Sequence, residues 1–178
     1  MRTCFRGGAW LLLVLGACAT PRGPVGSVTK VESSDGDRPE WADRVPEDDG
    51  DQMFWVGRKS GSGSEDGAVV DAREDCGRQL ADYLENTATK VYEKARVETA
   101  AGQDLGGSIR PLVRDAYKAW YAKVKAQGLK TKETYTERWE KIVSADRVAY
   151  EHKAYVLMVV SKKQMIALGQ AAIAEQLQ

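Results

Sequence analysis

The sequence predicts an α+β domain with a mainly antiparallel sheet of about four strands, two long helices on one face and a C-terminal helix, in the order β-α-β-α-β-β-α. Two patterns lead to this prediction. Segments whose apolar residues recur every three or four positions indicate amphipathic helices, and segments that alternate apolar and polar residues indicate strands. Both patterns succeed one another along residues 53–178, and helices packed on one face of a sheet would bury every apolar stripe.

The first long helix is the best-defined element, and a strand precedes it. Residues 53–60, MFWVGRKS, predict a strand that ends in a Gly/Ser loop, and Ser64 or Asp66 is placed to cap the helix that follows. The apolar stripe of this helix comprises Val69, Ala72, Cys76, Leu80, Tyr83 and Thr87.

The rest of the domain is predicted from the same two periodicities. Residues 90–101 alternate and predict a second strand, and Ser108 is placed to cap a second long helix. Residues 129–143 and 148–162 predict two long strands joined by a short turn as an antiparallel hairpin, and a C-terminal helix follows.

The N-terminus has the features of a secretory signal. Arg2 and Arg6 precede an apolar run from Ala9 to Ala17, which is too short to span a bilayer because a spanning helix needs about 20 apolar residues. The run ends in Leu15-Gly16-Ala17-Cys18, which resembles the bacterial lipobox. That resemblance implies cleavage before Cys18 and covalent attachment of diacylglycerol and an N-acyl chain to Cys18. No other cofactor is expected.

These features divide the chain into three parts. Residues 1–17 are predicted to be the lipoprotein signal peptide, residues 18–37 the lipidated cysteine with a flexible tether rich in Pro, Gly and Ser, and residues 38–178 a single α+β domain. The whole chain has 26 basic and 26 acidic residues, and removal of the signal leaves 24 against 26. This balance argues against nucleic-acid binding, which favours a basic excess.

The cysteines and histidines offer little catalytic chemistry. Cys76 is the one cysteine outside the signal and the lipobox, and its place on an apolar stripe favours a small buried hydrophobe over a redox thiol. His152 is the only histidine, which excludes a zinc site built on several histidines. We therefore predict no catalytic residue and no metal site.

One predicted strand face carries carboxylates and aromatic side chains together. Glu133 and Glu137 alternate with Tyr135 and Trp139. Residues four apart on a strand are separated by about 13 Å, which is too far for the paired carboxylates of a glycoside hydrolase on this strand alone. Tyr135 and Trp139 fit either a platform on which a sugar or peptide stacks, or cross-strand packing, and packing is favoured.

Several short motifs resemble a bacterial family typified by a twenty-kilodalton outer-membrane lipoprotein. The residues that carry the resemblance are Pro39–Trp41, Phe54–Gly57, the helix Asp71–Leu84, Tyr150, and the strand Tyr155–Val160. The helix is more charged than the Ala-rich helix of that family. The resemblance implies an α+β domain at the cell envelope without an assigned enzymatic chemistry.

The sequence therefore predicts a cell-envelope lipoprotein whose non-enzymatic domain docks on a protein partner or on peptidoglycan. It is attached to the membrane by the lipid on Cys18. The resemblance to bacterial lipoproteins implies the outer membrane, because residue 19 is Ala and not the aspartate that tends to retain such proteins in the inner membrane. The candidate partner or ligand face comprises Trp41, Tyr135 and Trp139. The alternatives are a periplasmic hydrolase of cell-wall glycan with paired carboxylates and a carrier of a small ligand.

Overall fold

The computed structural model describes residues 23–98 and 106–176. The elements in chain order are β1 (Val28–Ser33), α1 (Glu40–Asp43), β2 (Gln52–Ser62), α2 (Glu65–Glu98), α3 (Gly106–Lys123), a π-helical turn (Val124–Gly128), β3 (Lys130–Ser144), β4 (Arg147–Ser161) and α4 (Lys162–Gln176).

The four strands form one sheet in the order β1-β3-β4-β2, and every neighbouring pair is antiparallel. The hairpin of β3 and β4 is its centre, because both strands are 15 residues long and each has a partner on both sides. The predicted α+β class, with a four-stranded antiparallel sheet and a C-terminal helix, is confirmed.

Helix α2 covers one face of the sheet, which we call the helix face. Ser64 caps α2 by accepting a hydrogen bond from the backbone N–H of Gly67 (3.2 Å), as one of the two predicted caps. Gly57 of β2 allows the close approach of α2, because a Cβ there would overlap the carbonyl oxygen of Ala72. The buried residues contributed by α2 are Ala68, Ala72, Cys76, Leu80 and Leu84.

Side chains of α2 also cover the outer edge of β2. Gln79 Nε2 donates to the carbonyl oxygen of Val56 (3.0 Å), and Asp75 Oδ2 accepts from the backbone N–H of Arg58 (3.1 Å). Because the inner edge of β2 pairs with β4, these bonds engage backbone groups that would otherwise face solvent. An edge strand blocked in this way is protected from pairing with another chain.

Helices α3 and α4 pack beside each other and add to the same core. The indole Nε1 of Trp120 donates to the carbonyl oxygen of Met165 (2.8 Å), and Gly169 makes room for the Trp120 ring. Val124 and Met165 are buried against the residues of α2. Within residues 23–98 and 106–176, no helix is both long enough and apolar enough to cross a membrane.

The strand predicted over residues 90–101 is wrong, because α2 continues as a helix to Glu98; residues 99–101 lie outside the described part of the chain. The physical reason is helix cooperativity. Extending an existing helix adds one hydrogen bond per residue without a new nucleation step, and Lys, Ala, Arg and Glu in this stretch are good helix formers.

The fourth strand is instead β1, which lies inside the predicted tether. Val28 pairs with Lys141 and Ser33 with Glu137, so the tether prediction is wrong for residues 28–33. Nearly every residue of β1 is exposed, so the strand has no alternation of buried and exposed positions that would reveal it; backbone pairing with β3 holds it. The predicted signal peptide and Cys18 lie outside the described residues.

Candidate functional site: a strap across the second face of the sheet

The face of the sheet opposite α2 is crossed by the chain between β1 and β2. We call residues 34–43 the strap and this side of the sheet the strap face. The strap begins as an extension of the ladder between β1 and β3: Ser34 N donates to Thr136 O (3.0 Å), and Ser34 Oγ accepts from Thr136 N (2.9 Å). Further along, Tyr135 Oη donates to Gly36 O (3.4 Å).

A buried ion pair joins the middle of the strap to β3. Arg38 Nε and Nη2 donate to Glu137 Oε1 (3.0 and 2.8 Å), and Nη2 also lies 2.8 Å from Oε2. Glu137 is only 1% exposed, and its Oε2 accepts a further hydrogen bond from Trp139 Nε1 (2.8 Å). A buried carboxylate needs such partners because removing a charge from water is costly unless it is paired.

The far end of the strap is the short helix α1, which packs on the apolar part of the strap face. Trp41 rests against the buried cluster of Phe54, Val56 and Leu157. Its Nε1 donates to Glu133 Oε2 (2.7 Å), so both the ring and its polar atom are engaged.

Arg58 of β2 holds the C-terminal end of α1. Its Nε donates to Ala42 O (2.9 Å) and its Nη2 to Asp43 O (3.1 Å). These carbonyl groups have no hydrogen-bond partner within a helix as short as α1. A guanidinium can bind both of them because it presents several N–H donors in one plane.

Charged groups and aromatic rings are layered along the strap face. The Arg38 guanidinium lies 4.9 Å from the centroid of the Tyr155 ring, and Lys153 Nζ lies 3.9 Å from the centroid of Trp139. Burial by itself would lower the pKa of Arg38, but its hydrogen bonds to Glu137 and Asp43 and the nearby negative charges outweigh burial and raise the pKa. Burial raises the pKa of the Tyr155 hydroxyl, although the Arg38 charge acts in the opposite direction.

The three aromatic residues predicted to form a partner face lie on the same side of the sheet. Trp41 belongs to the strap, and Tyr135 and Trp139 lie on the strap face of β3. Tyr135 is 1% exposed and packs against Tyr155, with ring centroids 6.1 Å apart, so its ring is not presented to solvent. Trp41 and Trp139 are half-buried.

The two carboxylates considered for glycan hydrolysis both have intramolecular partners. Glu137 is bound by Arg38 and Trp139, and Glu133 accepts from Trp41. His152 lies on β4 opposite Arg138 and Ser62 and is half-buried. In the described part of the chain, no group of three or more His, Cys, Asp or Glu side chains is placed to hold a metal ion.

Cys76 is buried in the core of the helix face, as its position on the apolar stripe predicts. Its Sγ lies 3.5 Å from Val156 O and 3.6 Å from Trp55 O, within the range of weak S–H hydrogen bonds. Burial raises the pKa of the Cys76 thiol to about 11. The thiolate is the reactive form of cysteine, so this side chain behaves as a small hydrophobe.

Sequence reasoning did not identify Arg38 as a member of the site. The ion pair joins residues 99 positions apart, and no local pattern reports such a contact. A partial signal exists in Glu137, which lies between Tyr135 and Trp139 on an alternating strand, because a carboxylate flanked by aromatic side chains on one face requires a partner if that face is covered.

No protein-family model matches the chain, and neither a curated protein nor a solved structure matches it.

Proposed function

We propose that the chain is a lipoprotein of the bacterial cell envelope, anchored through Cys18, whose domain acts by docking on a protein partner or on peptidoglycan. The proposal includes localisation at the outer membrane and membership of the twenty-kilodalton lipoprotein family that the motifs resemble. It includes no enzymatic activity and no cofactor other than the covalent lipid.

The main support for the proposal is the short connection between Cys18 and the folded domain. Gly26 N donates to Ile142 O (2.8 Å), so the chain joins the folded domain only eight residues after Cys18. Even fully extended, eight residues span at most about 29 Å. A lipid on Cys18 would therefore hold the domain against the membrane surface, where its partners would have to be found.

The side chains of the strap face support docking over catalysis. A general acid or base must exchange a proton with substrate, but Glu137 is buried and holds hydrogen bonds from Arg38 and Trp139. Glu133 is engaged by Trp41. These contacts attach the strap to the sheet and give both carboxylates a role in the fold.

The proposal is tested by crosslinking in cells that produce the chain with its native signal. Wild type is compared with Cys18→Ser, and Cys4→Ser serves as the matched control because it removes the other N-terminal cysteine and leaves the lipobox intact. We expect wild type and the control to fractionate with the outer membrane and to capture the same envelope partner, and Cys18→Ser to lose both.

Three results would contradict it. If Cys18→Ser fractionates with the membrane and captures the partner as wild type does, the protein is not anchored through a lipid on Cys18. If wild type captures no protein and does not bind purified cell-wall sacculi, the domain does not act by docking. Release of glycan fragments from sacculi, abolished by Glu133→Gln or Glu137→Gln in a folded variant, would replace docking with hydrolysis.

A further inference from the structure

The strap face carries a basic surface at the end that the strap leaves uncovered. Lys30 of β1 pairs with Trp139 of β3, which pairs in turn with Glu151 of β4. Lys141 and Lys153 share this side of the sheet, because residues two apart on a strand point to the same face. We call Lys30, Lys141 and Lys153 the lysine patch. Lys30 and Lys141 are exposed. The three lysines of the patch and Glu151 together have a net charge of +2.

The opposite face of the same end has the reverse sign. Arg138 is paired with Glu32 (3.0 Å), and its guanidinium lies 5.2 Å from the centroid of the Tyr150 ring. Glu140 adds a negative charge to this side, since it pairs with Tyr150 of β4 and Thr29 of β1. At this end of the sheet the three lysines thus lie on one face. The strap on the same face carries the exposed acidic residues Asp35, Asp37, Glu40 and Asp43.

The chain that leads to Cys18 leaves the domain at this end. Gly26 is hydrogen-bonded to Ile142, the residue directly after Lys141 on β3. The eight residues from Cys18 to Gly26 reach at most about 29 Å. A lipid on Cys18 therefore holds this end of the sheet, with the lysine patch, closer to the bilayer surface than the opposite end.

We propose that the lysine patch lies on an anionic phospholipid surface and orients the domain there. This inference rests on the proposed lipid anchor, which supplies the membrane. Basic side chains near an anionic bilayer are attracted to it, and an acyl chain combined with a basic patch is a recurrent way to attach a protein. The end of the strap face that carries the lysine patch then points towards the lipid, rather than the strap itself, and α2, α3 and α4 point away from it, where a partner can reach them.

The contact is electrostatic, without insertion into the bilayer. Trp139 is the aromatic residue at the centre of the patch, but its Nε1 is bound to Glu137 and its ring lies beneath Lys153. The indole is therefore held in the sheet surface. An electrostatic contact of this kind weakens as salt shortens the Debye length, from about 30 Å at 0.01 M to about 8 Å at 0.15 M ionic strength.

The test uses the mature chain from residue 18 with Cys18→Ser, so that its outcome does not depend on acylation. Co-sedimentation measures its partition coefficient on vesicles of phosphatidylcholine with one third phosphatidylglycerol, and on phosphatidylcholine alone, at low and at physiological salt. The patch variant is Lys30→Gln/Lys141→Gln/Lys153→Gln. The control Lys90→Gln/Lys118→Gln/Lys163→Gln removes the same charge from exposed positions on α2, α3 and α4. A second variant, Lys30→Gln/Lys141→Gln, leaves the contact between Lys153 and Trp139 intact.

We expect binding to the anionic vesicles alone, a loss of roughly fivefold for each patch lysine removed, and little change in the control. Physiological salt should reduce the binding. Equal losses in the patch and control variants, equal binding to neutral vesicles, or no binding of the parent chain at low salt would each overturn the inference. If circular dichroism shows that the triple variant is unfolded, the double variant is used instead. A partition coefficient of the double variant equal to that of the parent chain would also overturn the inference. Loss of membrane association by Cys18→Ser in cells is a separate result and tests only the lipid anchor.

Discussion

Arg38 and Glu137 lie 99 residues apart in the chain and are joined by two donor nitrogens of one guanidinium bound to one buried carboxylate. The pair connects the strap, which follows the first strand, to the centre of the sheet. Glu137 cannot leave this arrangement cheaply because it is 1% exposed and would lose its counter-charge. The strap is therefore part of the fold, and its attachment depends on a contact that a single substitution removes.

Replacing Arg38 should destabilise the domain by leaving Glu137 buried without its counter-charge. Removal of one partner of a fully buried pair costs about 3–5 kcal/mol, and the 30% exposure of Arg38 reduces this to about 2 kcal/mol for Arg38→Met. Urea unfolding at pH 7 measures the loss. Arg44→Met is the control, because Arg44 and its partner Glu47 are both largely exposed, and its unfolding midpoint should barely move.

The second variant of this pair distinguishes a coupled interaction from two separate effects. Glu137→Gln removes the charge but keeps an oxygen that accepts from Trp139 Nε1. We expect Arg38→Met/Glu137→Gln to regain about 1 kcal/mol relative to Arg38→Met alone, since the unpaired charge is gone. If the two substitutions add without coupling in the double-mutant cycle, the ion pair is not what holds the strap.

Gly57→Ala should be among the most damaging single substitutions in the domain. The added Cβ would overlap Ala72 O and lie 2.9 Å from Cys76 Sγ, so α2 would have to move away from β2. Overpacking of this kind costs about 3 kcal/mol or more. Thermal unfolding measures it against Gly63→Ala, whose Cβ would meet no atom within 4 Å and which should change stability by less than about 0.5 kcal/mol. Similar melting temperatures for both variants would show that α2 does not approach β2 so closely.

The Cys76 thiol should be inert in the folded protein. With a pKa of about 11, only about one thiol in a thousand is ionised at pH 8, and the side chain is buried as well. In the mature chain with Cys18→Ser, Ellman's reagent should react with Cys76 only after unfolding in guanidinium chloride. The variant that also carries Ser60→Cys, at an exposed position of β2, should react with one equivalent at once. Rapid reaction of Cys76 in the native chain would place it outside the core.

Asp75 should contribute stability that is lost in acid. Burial alone would raise its pKa, but hydrogen bonds from Arg78, the Arg58 backbone and Gln79 outweigh burial and lower it below the usual value of 3.8. Its contribution is therefore complete above the unfolded-state pKa and disappears as pH falls through the lower folded-state value. Asp75→Asn should cost about 1 kcal/mol at pH 7, and the difference from wild type should narrow as pH falls below the unfolded-state pKa of the carboxyl group. Calorimetry from pH 7 to pH 3 checks this; a difference that persists unchanged at pH 3 would mean that the charge of Asp75 is not involved.

The elements with a strong apolar pattern could be predicted from the sequence. The stripe of α2 shows the helical periodicity because one side of the helix is buried. The strand at residues 53–60 shows instead a continuous apolar run, because Met53 and Trp55 are buried on one face of the sheet and Phe54 and Val56 on the other. The two errors have opposite causes. Residues Val28–Ser33 form a strand although almost all are exposed, and residues 91–98 alternate in polarity although they continue a helix.

The site could be predicted only in part. Trp41, Tyr135 and Trp139 do share one face, and strand alternation placed the last two together. The position of Trp41 depends on the path of the strap. That path depends on the ion pair between Arg38 and Glu137, which lie 99 positions apart in the sequence. The lysine patch likewise combines three strands, of which β1 has no sequence signal, so neither feature can be read from one segment.

The most direct test of the central claim is the mass of the N-terminal peptide of the membrane-associated protein, purified from cells that produce the native chain. The account predicts a peptide that begins at Cys18 and carries diacylglycerol and an N-acyl chain, and it predicts that Cys18→Ser yields no such species and leaves the membrane fraction. A mature protein that begins elsewhere, or an unmodified Cys18 in protein that still fractionates with the membrane, would contradict it.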